Sequence, residues 1–86
     1  MATKNIKNIE DTVKKVFLKI FSSELKSGSF DFKKTQDKFQ NWDSFSHMEL
    51  VSEMENEFGV NLEMEEIISI RSPQDFVNLI KRKTKR

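Results

Sequence analysis

Apolar residues recur every three or four positions early in the chain, at Ile9, Val13, Val16, Phe17, Ile20 and Phe21, with Lys14, Lys15 and Lys19 between them. That is the period of one buried helix face. Asn8 as N-cap and the acids Glu10 and Asp11 mark its start, so the pattern predicts a first helix over about residues 9–22. The period is lost over residues 23–42, where Ser, Gly and Asp are interspersed with Phe30, Phe32, Phe39 and Trp42. A connection of that length is unusual in a small domain, and its aromatics predict that it lies against the helices. Asp43 or Ser44 caps a second helix running to about Phe58, where Gly59 supplies a left-handed stop. A short helical piece is expected at about 62–68. Ser72-Pro73-Gln74-Asp75 is a compact start signal, with serine as N-cap, proline first in the helix and an acid third. The last helix carries Phe76, Val77, Leu79 and Ile80 before the tail KRKTKR.

The expectation is an all-α fold, a small bundle of four helices, three longer and one short, with a long loop between the first two. With no internal repeat or boundary signal, residues 1–86 read as one domain with flexible ends at about 1–7 and 82–86. The chain is near the lower size limit for folding without staples. Eight Phe and one Trp can still fill one core. Two glycines and one proline suit helices better than a small β-rich domain.

Several function classes fall away on composition. There is no cysteine, so disulfides, thiolate metal sites and a catalytic cysteine are excluded. A single histidine makes a structural metal site an unexpected feature. The longest apolar run is Val16-Phe17-Leu18, too short to span a membrane. The segment MATKNIKNIE lacks the apolar core of a signal peptide, so a reducing, cytoplasmic compartment is the default. No serine or threonine nucleophile comes with a base and an orienting acid, so a stand-alone enzyme is not expected.

Net charge is +1, but it is divided. Residues 39–70 hold eight acids and no lysine or arginine, while the remainder carries a formal +9. Such a field steers a cationic partner towards the middle segment. On a helical projection of that segment, Leu50, Val51, Met54 and Phe58 form an ordinary buried stripe with His47 beside it. Phe45 and Met48 fall on the opposite side with Glu49, flanked by Glu53 and Glu55. A mixed apolar and acidic outer face suits docking on a basic-rimmed groove, and it equally suits a helix whose Phe45 and Met48 are covered by the preceding loop. Ser44 sits at the helix start, where free N–H groups favour a phosphate, although a serine there needs no explanation beyond capping. His47 is expected to pack or hydrogen-bond near Ser44, and Trp42 to anchor the loop. Lys14, Lys15, Lys19, Lys33, Lys34 and the basic tail raise the alternative of a nucleic-acid-binding domain, but the charges are dispersed and the acidic helix repels phosphates.

Asp43-Ser44-Phe45, then Met48-Glu49-Leu50-Val51, then Glu53-Met54-Glu55-Asn56-Glu57-Phe58-Gly59-Val60, resembles the acyl carrier protein family. That family's pattern is Asp-Ser-Leu, Glu-Leu and a Glu-rich run ending in Glu-Phe-Gly. The likeness extends to IEDTVKKVF (9–17) and SIRSPQDFVNLI (69–80), sparing only the loop. It implies an acyl-carrier-type bundle and a non-catalytic carrier. Ser44 would be the attachment site for 4′-phosphopantetheine, transferred from coenzyme A by a magnesium-dependent phosphopantetheinyl transferase, with Asp43 helping to present the serine. The arm's thiol would carry an acyl or aminoacyl group as a thioester.

The second helix would then be the surface that partner enzymes grip. Phe45 and Met48 would give apolar contact, and Glu49, Glu53 and Glu55 would meet cations. Leu50, Val51, Met54, Leu62 and Ile67 would line an acyl-chain pocket. The implied partners are the transferase, a loading ligase and downstream acyl-processing enzymes, with no nucleic acid or membrane insertion, and a monomeric carrier. Phe45 departs from the usual leucine, Trp42 from a small residue and Asn41 from a nearby glycine. The chain is also less acidic than bulk fatty-acid carriers. WDSFSH looks more like the stand-alone carriers of polyketide, peptide or polysaccharide pathways. The rival to modification is an adaptor that docks unmodified through Phe45 and Met48.

Overall fold

The computed structural model of the chain describes residues 9–25, 28 and 30–84. The expected N-cap Asn8, the flexible segment 1–7 and the terminal Lys85-Arg86 lie outside the described residues. Among those described there are four α-helices and no strand. They are α1 (Ile9–Ile20), α2 (Ser44–Phe58), α3 (Met64–Ser69) and α4 (Pro73–Thr84), with a 3₁₀ turn at Gln36–Lys38. This is the all-α, acyl-carrier-type bundle that the hydrophobic pattern and the resemblance anticipate.

Each helix is bounded by the chemistry of its ends. Asp43 accepts from Ser46 N–H and so caps α2. Gly59 ends it with φ 64°, a left-handed conformation that costs glycine nothing, and its N–H reaches Glu55 O. Ser72 Oγ accepts from Asp75 N–H at the start of α4, as the sequence there anticipates. Residues 82–84, at the start of the end expected to be flexible, belong to α4, which runs to Thr84. The Thr84 hydroxyl donates to Ile80 O, and Lys83 pairs with Glu66 of α3 at 3.0 Å. Lys81, Arg82 and Lys83 occupy the last turn, where the helix dipole favours cations.

The core is organised around Phe17, which is fully buried. Its ring lies 5.3 Å from Trp42, 5.8 Å from both Phe21 and Phe76, and 6.0 Å from both Phe30 and Phe39, between centroids. The long connection therefore lies on the bundle, its aromatics replacing apolar area that a helix would otherwise supply. Val13, Leu50, Met54, Phe76 and Ile80 close the core. Phe58 and Ile20, assigned to buried stripes by periodicity, are only half-buried, since both lie at helix ends where fewer neighbours cover them.

Candidate functional site

The two serines flanking Phe45 are in opposite states. Ser46 is buried, and its hydroxyl donates to Asn41 O at 2.7 Å and accepts from Asp43 N–H at 3.0 Å. With Ser46 N–H donating to Asp43 Oδ1 at 3.0 Å, the pair forms a reciprocal capping box. Ser44, the first residue of α2, is exposed, and among the described residues its side chain has no hydrogen-bond partner. The Ser46 amide, and then its hydroxyl, hold the Asp43 carboxyl below the usual aspartate range, so Asp43 stays ionised beside Ser44. The capping therefore falls to Asp43 and Ser46. The sequence signal for Ser46 was present, as an acceptor three residues after an N-cap, but the more conspicuous Asp-Ser pair obscured it.

Ser44 opens on an apolar cleft of about 510 Å³ between α2 and α3. His47 and Met48 of α2 and Met64, Ile67 and Ile68 of α3 line it, together with Gln36, Ile70 and Arg71. Met64 and Ile68 are 66% and 65% exposed, so α3 turns bare apolar surface towards the cleft mouth. Neither residue was singled out from sequence, because a six-residue helix is too short for its periodicity to show.

His47 ties the two walls together. Trp42 Nε1–H donates to His47 Nδ1 at 2.8 Å, and His47 Nε2 lies 2.8 Å from Ile67 O. With Nδ1 accepting, Nε2 carries the proton and donates to that carbonyl. Both ring nitrogens are thus committed to structure, as expected of a packing histidine. Trp42 itself is buried, stacks on His47 with centroids 5.8 Å apart, and anchors the loop.

Around the outer face of α2, Phe45 is 74% exposed and Met48 49%. The loop therefore does not fold over them. They share a groove with Lys19 and Ile20 of α1 and with Glu49, Ser52 and Glu53. Glu53 pairs with Lys19 at 3.3 Å, whereas Glu49 forms no ion pair among the described residues. Glu55 turns away from this face, its Oε2 accepting from Leu62 N–H at 2.9 Å to fasten the α2–α3 connection. Leu50, Val51, Met54, Leu62 and Ile67 are buried core. Among the described residues no group of His, Asp and Glu could hold a metal ion, and no helix is long and apolar enough to cross a membrane.

A comparison with family models matches residues 41–80 to the family described as "Phosphopantetheine attachment site". Comparisons with curated proteins and with solved structures give no significant match. The matched segment runs from just before the Asp43–Ser46 box through all of α2 and α3 to Ile80 in α4. Such a segment is where 4′-phosphopantetheine is covalently attached. Its two cleft walls and the helix start between them are thus the parts that the family match covers, and over that segment the chain is similar to the phosphopantetheine attachment family.

Proposed function

We propose that the chain carries an acyl or aminoacyl group as a thioester on a 4′-phosphopantetheine held by Ser44, and presents it to partner enzymes through α2. The observation that carries this reading is the state of the Ser44 hydroxyl, exposed and unbonded at the first turn of a helix inside the matched segment.

The residues fit the group. The first turn of α2 offers the positive end of the helix dipole to a phosphodiester. The cleft beside Ser44 has the volume and apolar walls to receive a folded-back arm. In the modification step the Ser44 oxygen forms a bond to the pantetheine-bearing phosphorus of coenzyme A. The bond from that phosphorus to adenosine 3′,5′-bisphosphate breaks, and the hydroxyl proton passes to a base of the transferase. Ionised Asp43 fixes the helix start and so presents Ser44 at a constant angle. When bound, the group supplies the thiol that this cysteine-free chain lacks.

Phe45 and Met48 are the apolar anchors for a partner, with Glu49 as the uncommitted acid beside them. Glu53 contributes once it leaves Lys19, and Glu55 acts at a distance through charge alone. Leu50, Val51, Met54, Leu62 and Ile67 become the pocket for a carried chain if α3 moves off α2, a movement that must release the His47–Ile67 bond. The departures at Trp42 and Phe45 favour a specialised pathway over bulk fatty-acid synthesis.

The test is intact mass after incubation with coenzyme A and a promiscuous phosphopantetheinyl transferase, beside Ser44→Ala. A gain of one phosphopantetheine, absent in the variant, is expected. No gain with several transferases would instead support an unmodified adaptor docking through Phe45 and Met48.

A further inference from the structure

We infer that Arg71 is the resident counter-charge of the arm, pairing with the phosphodiester on Ser44 and so positioning the arm at the rim of the α2–α3 cleft; this rests on the attachment reading above. Residues 39–70 carry eight acids and no base. Yet no acid lines the cleft on which Ser44 opens, and Arg71 is the one lysine or arginine that does. Its walls are otherwise apolar apart from Ser44, Gln36 and the committed His47. A ligand with one negative charge and an otherwise neutral chain matches that distribution.

Arg71 is also held in place and left available. Its carbonyl accepts from Gln36 N–H at 2.7 Å, and its own N–H donates to Asp75 Oδ2 at 2.8 Å. Gln36 in turn donates through its side-chain amide to Trp42 O, directly before Asp43. One chain of bonds thus ties the backbone of Arg71 to the start of α2. Among the described residues its guanidinium forms no ion pair, whereas Lys19, Lys81 and Lys83 are each paired. A planar guanidinium suits two phosphate oxygens better than an ammonium does.

The experiment compares wild type, Arg71→Gln and Arg71→Lys, each loaded from coenzyme A and checked by intact mass. The readouts are the phosphorus-31 resonance of the arm from about 20 mM to about 500 mM salt, and the Arg71 Nε–H resonance before and after loading. The wild-type phosphorus resonance is expected to move with salt, Arg71→Lys to move less and Arg71→Gln to stay fixed, with Arg71 Nε–H shifting on loading. Identical salt responses in all three would overturn the pairing. So would failure of Arg71→Gln alone to load, which would assign Arg71 to the transferase encounter. Failure of the wild type to load would instead remove the attachment reading itself.

Discussion

Asp43 and Ser46 bond to each other backbone to side chain in both directions at 3.0 Å, and the side chain of Ser44 between them bonds to nothing described. Ser46→Ala removes a buried hydroxyl together with its bonds to Asp43 and Asn41 O, so it is expected to cost about 1–2 kcal/mol. Urea unfolding followed by Trp42 emission measures it. Ser44→Ala should leave the midpoint unchanged, and an equal loss in both variants would contradict the division of labour between the serines.

The same box gives the fold an acid-sensitive element. Asp43 is held below its ordinary range by Ser46, so on acidification the unfolded chain takes up the proton first. Its stabilising effect is complete above the ordinary aspartate value of about 4 and fades as pH falls through the lower folded value. Glu66 follows the same rule, held down by Glu63 N–H and then by Lys83. Thermal melts of wild type and Asp43→Ala should differ at neutral pH and converge below about pH 4. A gap that persists unchanged at lower pH counts against the carboxylate as its source.

His47→Ala breaks both ties between the loop and α3 and leaves Trp42 Nε1–H unpaired in a buried site. A loss of about 2–3 kcal/mol is expected. Hydrogen exchange should speed up most along α3, before any global opening. Uniform acceleration across all four helices would show that His47 serves the whole core rather than the cleft.

Phe45→Ala and Met48→Ala remove exposed side chains, so each should change stability by less than about 0.5 kcal/mol. Transferase kcat/KM on these variants should nonetheless fall by about tenfold, the effect of losing an interface anchor. The wild-type rate should drop with added salt, because the acids beside them act at long range. Rates insensitive to both changes would move the docking surface elsewhere.

Gly59→Ala places a Cβ on a residue with φ 64°, where nothing crowds it within 4 Å. The cost is therefore backbone strain alone, about 1 kcal/mol. Asn at the same position should recover part of it in the same denaturation assay.

Much of this molecule could be read from local pattern. The stripe from Ile9 to Phe21, the Gly59 stop and the Ser72-Pro73 start are decided within a few residues, and the structure follows them. Exposure of Phe45 and Met48 followed from helical phase, but only tertiary packing could decide whether the loop covers them. Long-range partners were not legible. Glu55 looked like a surface acid and instead holds Leu62 N–H seven residues on. Arg71 sits in a connection with no period to place it, and its relation to Ser44 depends on α3 folding back. The tail looked frayed because charge predicts solvent, not disorder. Its helix runs to Thr84, and Lys83 pairs there with Glu66.

Phe17 touches rings from the loop at Phe30, Phe39 and Trp42 and from the last helix at Phe76. Residues 41–80, the segment that the family model matches, therefore do not include the Phe17 hub. Cut free, they would leave Trp42 and Phe76 facing water. The Phe17 hub is complete only when Phe76, some sixty residues further along, packs against it. A serine at the start of α2 is then held at a defined angle to a modifying enzyme only on a finished protein.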